Sequence, residues 1–110
     1  MMEITAKYDS NGIYFISAQG HTGYAHRGAD IVCAAVSSLI QALGVGLRDV
    51  LKLENAEIKR DAESALISYK WDSSLVEAQC LAKTILLSVK SVSESYHEFI
   101  EVIEIRDGTN

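Results

Sequence analysis

Residues 2 to 8 alternate in polarity, with Ile4, Ala6 and Tyr8 on one side and Glu3, Thr5 and Lys7 on the other. Period two predicts a half-buried strand. Asp9-Ser10-Asn11-Gly12 supplies a turn, because an Asn-Gly pair tolerates positive φ, and returns Ile13 to Ala18 as the second strand of a hairpin. Beyond residue 30 the period lengthens. Val32, Ala35 or Val36, Leu39, Leu43, Leu47 and Val50 recur at helical spacing, which predicts a central helix extending to about Leu53. Gly44 and Gly46 each weaken a helix by about 1 kcal/mol relative to Ala, so the helix either packs closely against something there or bends or breaks between Leu43 and Leu47.

The second half repeats the theme. Glu57 to Arg60 and Ser64 to Trp71 read as a strand pair joined across Asp61-Ala62-Glu63, with Ala65, Ile67, Tyr69 and Trp71 on one face and Leu66 on the other. Ser74 followed by Glu77 matches a capping box, and Leu75, Ala78, Leu81 or Ala82, Ile85, Val89, Val92 and Tyr96 form a second helical stripe. Glu98 to Ile105 reads as a last strand, apolar on both faces and so either central or paired with another subunit; Asp107 to Asn110 reads as a frayed tail. The order β-β-α-β-β-α-β predicts an α+β fold of two layers, two helices packed on a mostly antiparallel sheet. Its two β-β-α units echo each other weakly.

With 110 residues the chain is one domain, residues 1–110, large enough to bury a core. Its 48% hydrophobic and 23% charged residues exclude a disordered composition. The net charge of -5 argues against a direct nucleic-acid partner and suits a basic peptide or protein. The N-terminus MMEITAKYDS lacks a basic segment followed by an apolar run, and no window is expected to span a bilayer, so a cytoplasmic protein with no membrane contact is expected. Cys33 and Cys80 fall in different predicted helices and are expected to stay free; Cys80, in a helix interior and off the apolar stripe, is read as structural or partly exposed.

Chemistry concentrates in residues 20 to 39, GHTGYAHRGADIVCAAVSSL, where a polar loop punctuated by Gly20, Gly23 and Gly28 runs into the central helix. Asp30 reads as an N-cap, which would put Cys33 in the first helical turn, where free N–H groups and the helix dipole favour a thiolate. His21 could then act as general base and acid toward a Cys33 nucleophile, and the amides around Val32 to Ala34 could stabilise an oxyanion. Asp30 could orient His21, though its N-cap role is the more economical, and Ser38 is either a site residue or a helix residue whose hydroxyl bonds back to a carbonyl. A cysteine among Val32, Ala34, Ala35 and Val36 is also a plausible small buried hydrophobe. Two other classes stay open: a metal or redox thiol site using His21, His26 and Cys33, whose spacing fits no metal pattern, and an interaction module without peptidase activity.

The hairpin, the Gly20-His21 pair, the glycine-containing loop and the block Asp30-Ile31-Val32-Cys33-Ala34-Ala35-Val36-Ser37 together resemble the ribosomal-processing cysteine protease family (Prp) of Firmicutes and related bacteria. The resemblance spans essentially the whole chain. It implies a cysteine endopeptidase that removes, by cutting after a phenylalanine, the N-terminal extension of the large-subunit ribosomal protein L twenty-seven. It also implies a homodimer, no cofactor or metal, His21 and Cys33 as the catalytic pair, and a mobile substrate loop over Thr22 to Ala29. His26 receives no role. A loop of this kind would hold His21 out of position until substrate orders it.

Overall fold

In the computed structural model, which describes residues 1–20 and 27–107 apart from the side chains of residues 27–30, the first alternating stretch forms a hairpin. Strands β1 (Met2–Asp9) and β2 (Gly12–Gln19) pair antiparallel, with Ile4 opposite Ala18 and Ala6 opposite Ile16. A bulge follows Lys7, so that Tyr8 pairs with Ile13. The Asp9 carboxylate accepts the Asn11 amide at 2.9 Å and closes the turn. Strands β3 (Glu57–Asp61) and β4 (Leu66–Lys70) form the second hairpin. The hairpins join through antiparallel β2 and β4, and β5 (Ile100–Arg106) lies outside β1, parallel to it. The sheet order is β3-β4-β2-β1-β5. The last strand is therefore an edge strand beside the first, not a central one.

Two helices cover one face of the sheet. In α1 (Arg27–Val45) and the π-helical turn after it (Gly46–Val50), Val32, Val36, Ile40, Leu43 and Leu47 are buried at three- and four-residue spacing. They meet Ile4, Ala6, Ile16 and Tyr69 of the sheet in one core. Helix α2 (Val76–Ser95) adds Ala78, Ala82, Ile85, Leu86 and Val89. Each such larger aliphatic side chain contributes on the order of 1.5–3 kcal/mol on burial. The segment Ile31–Val50, with mean hydropathy 1.7, is long and apolar enough by length and composition to cross a membrane, contrary to the expectation from the sequence; here it is the core helix, packed on the sheet.

The glycine question at the end of α1 resolves as close packing together with a widened turn. A Cβ on Gly44 would stand 2.9 Å from the Tyr69 ring, and one on Gly46 would strike the Leu81 side chain. The helix does not break there; it relaxes into the π turn, which ends as the Leu51 amide donates to the Gly46 carbonyl.

Two helix starts differ from expectation. Helix α1 begins at Arg27, so Asp30 lies inside it and not at its cap. Helix α2 has Leu75 at its cap with no side-chain bond, because Asp72 takes both the amide and the hydroxyl of Ser74 at 2.9 and 2.7 Å and forms an Asx turn instead of a capping box.

Candidate active-site groove

Strand β2 ends at Gly20, which has φ +90°; a side chain there would be strained and would also stand 2.8 Å from the Met1 carbonyl. The β3–β4 turn arrives at the same end of the sheet: Asp61 pairs with Leu66, Asp61 accepts the Glu63 amide at 3.0 Å, and the Gly20 amide donates to the Ala65 carbonyl at 3.1 Å. Between that turn and α1 lies a groove of about 430 Å³. Its floor is apolar, made by Met2, Ala18, Ile40 and Ile67. Cys33, Ser37 and Gln41 line it from the helix, and Arg60 lines it from the facing strand.

Cys33 is half-buried, packed against the core on one side and open to the groove on the other. It is the seventh residue of α1, about two turns in, not in the first turn. Two consequences correct the sequence reading. The unpaired amides of the helix end lie earlier than Cys33, so the end of the helix does not act on the thiol at first-turn range. The amides of Val32 to Ala34 bond carbonyls four residues back inside α1, so they are not free oxyanion donors.

His21, Gly23 and His26 lie outside the described residues, as does the greater part of the expected loop. Gly28 and Ala29, expected in that loop, belong to the first turn of α1. Asp30 is helical, and its side chain is outside the described set. Ser38 is exposed and its hydroxyl donates to the Ala34 carbonyl at 2.9 Å. Ser37, four residues after Cys33, is the serine that faces the groove, and helical spacing alone could have singled it out. Gln41 extends the same row by another turn. Arg60 carries no local sequence signal; only the pairing of β3 with β4 brings it here. Cys80 is free and exposed on α2. Among the described residues, no three His, Cys, Asp or Glu side chains gather as a metal site.

Tyr69 is buried beneath this region, against Gly44, and its hydroxyl has no hydrogen-bond partner among the described residues. Burial raises its pKa, while the positive charge of nearby Arg60 pulls the other way.

The sequence matches the family model described as cysteine protease Prp over residues 1–101. A relative from Mycoplasma pneumoniae, the ribosomal processing cysteine protease Prp, is 27% identical over 85 residues, covering 77% of this chain and 81% of that protein. The essential ribosomal processing protease Prp from S. aureus, solved in complex with a covalently linked product peptide, superposes with TM-score 0.80 at 25% identity over 94% of this chain and 99% of that one. A Streptococcus mutans protein superposes with TM-score 0.85 at 25% identity over 97% and 96% of the two chains.

Proposed function

From the premise that this chain belongs to the Prp family of cysteine proteases, we propose that it removes the N-terminal extension of the large-subunit ribosomal protein L twenty-seven in the cytoplasm, as a homodimer, with Cys33 as nucleophile and His21 as its base. The observation that carries the reading is the position of Cys33, whose exposed side opens into a groove with an apolar floor sized for peptide side chains. The product peptide covalently linked to the S. aureus relative is what attack by a thiol would leave behind.

In this mechanism His21 takes the Cys33 proton and the thiolate attacks the scissile carbonyl. His21 then gives its proton to the departing amine, leaving a thioester between Cys33 and the N-terminal fragment. Water activated by the same imidazole releases the acid. Asp30 is the candidate to orient His21. Ser38, facing solvent with its hydroxyl bonded to Ala34, would act only through the helix.

The decisive experiment incubates wild type and Cys33→Ala with a peptide spanning the extension junction of the host's L twenty-seven and reads the products by mass. Cleavage by wild type, lowered at least about a thousandfold in Cys33→Ala, is the expected result. Equal cleavage by both would remove Cys33 from its role.

A further inference from the structure

The groove is asymmetric in charge. Among the described residues its helix wall is neutral, formed by Cys33, Ser37 and Gln41. The facing wall ends in Arg60 and Asp61, adjacent in sequence but differently engaged. Asp61 is tied to its own turn through the Glu63 amide. Arg60 pairs in register with Ile67, alternates with Asp61, and so points to the helix-covered face, the side on which Tyr69 and the groove lie. The guanidinium is exposed, and among the described residues no carboxylate or hydrogen-bond acceptor engages it. A chain of net charge -5 with 15 acidic residues thus places at the edge of this groove a cation that no carboxylate among the described residues pairs with. An arginine offers five N–H donors in a fixed fork, suited to carbonyl, amide or carboxylate oxygens and repelled by ammonium or guanidinium groups.

We propose that Arg60 is a specificity-determining residue, donating to an acceptor oxygen on the peptide segment that fills the groove and excluding a basic side chain from that subsite. The substrate class is then a peptide with an apolar residue on the groove floor and, beside it, a neutral or acidic residue. This proposal rests on the protease reading for its substrate. The contact is made in the bound peptide whether or not the bond is being broken, so it acts mainly on KM and little on kcat.

The test uses the L twenty-seven junction peptide in variants that carry Glu, Gln or Lys singly at each of the four positions on either side of the cleaved bond. Wild type, Arg60→Gln and Arg60→Glu are compared by kcat/KM, and the same peptides are titrated against Cys33→Ala with and without each Arg60 change. At one position wild type should favour Glu or Gln over Lys by about tenfold, Arg60→Gln should flatten the ranking, and Arg60→Glu should invert it. Cleavage with the wild-type ranking retained by Arg60→Glu at every position overturns the proposal and leaves the protease reading intact. Absence of cleavage with charge-selective, Arg60-dependent binding to Cys33→Ala keeps the proposal and overturns the protease reading. Absence of both overturns both. Arg60 is exposed, so unchanged melting of the variants is expected to accompany the switch.

Discussion

The two ends of the sheet treat their polar side chains differently. At the end holding the β1–β2 turn, polar side chains pair with one another, although the buried Trp71 indole N–H has no partner among the described residues. Ser73 donates to both Asp9 oxygens at 2.6 and 2.8 Å, Tyr14 donates to Asp107, and Asp72 holds Ser74. Gln79 accepts the Ile13 amide and donates to the Ile13 carbonyl at 2.9 and 2.6 Å. At the opposite end, around the groove, the side chains of Ser37, Gln41 and Arg60 have no hydrogen-bond or ion-pair partner among the described residues. A satisfied polar group stabilises the fold and has little left for a ligand; an unsatisfied exposed one contributes nothing to the fold and keeps its capacity. The contrast separates scaffold from site without reference to sequence motifs.

The separation can be broken from either side. The largest effect on stability is expected at Gln79→Ala, which strands the buried amide and carbonyl of Ile13; denaturant unfolding should show a loss of about 3 kcal/mol. The kcat/KM of the protein that remains folded at low temperature should hold. A smaller free-energy change, felt in activity, is expected from filling the groove. Ser37→Leu should lower kcat/KM and the rate of Cys33 alkylation by about tenfold while melting stays near wild type, and Ser38→Leu, pointing to solvent, should leave both unchanged. Equal losses in the two variants would mean that the groove is not where peptide binds.

The smallest effect is in the acid limb of stability. The Ser73 hydroxyl lowers the pKa of Asp9 below its ordinary 3.8, and hydrogen bonds from Lys90 and then Tyr8 lower that of Glu104 below 4.5. Carboxylates with lowered folded values stabilise above their unfolded values and lose that contribution as pH falls through the folded ones. Asp9→Asn with Glu104→Gln should therefore reduce stability at pH 7 slightly and flatten its decline below about pH 4.5. An acid limb as steep as that of wild type would assign the decline to other groups.

Most of the architecture was legible because it depends on local period. Alternation at residues 2 to 8 and the stripe from Val32 to Leu47 each survived as an element with the expected buried face. The starts of the helices were less legible. Asp30 looks like a cap because the apolar stripe begins just after it, yet the helix extends one turn earlier through Arg27-Gly28-Ala29, a stretch with no apolar period to announce it. Ser74 looks like a cap until Asp72 takes its hydroxyl. Such competitions between side chains two residues apart are decided by geometry, not by residue type. Strand order lies further from view: apolar positions on both faces of the last strand suggested either a central place or pairing with another subunit, and the pairing of Met2 with Ile100 at the sheet edge removes the first. In the site, Cys33 stood out by its neighbours in sequence, while Ser37 follows only from its helical phase and Arg60 only from tertiary pairing.

Burial also explains why so large an aromatic as Tyr69 fits under a helix. The two glycines near the end of α1 remove the side chains that would meet Tyr69 and Leu81, and the π turn absorbs the change in helical phase. Gly44 thus belongs to the architecture of the groove although it does not touch it.

The parallel pairing of the first and last strands carries a consequence for the order of events in synthesis. Met2 lines the groove, and its amide is held by the carbonyl of Phe99, just before β5. The contact that seats this residue of the groove floor thus spans almost the whole chain, a closure of high entropic cost that forms late. A growing chain can form either hairpin and still lack a finished groove. On this topology the seating of Met2 waits until the ribosome has delivered the C-terminal strand, and a half-made copy of the enzyme is expected to hold its groove floor less firmly than the finished one.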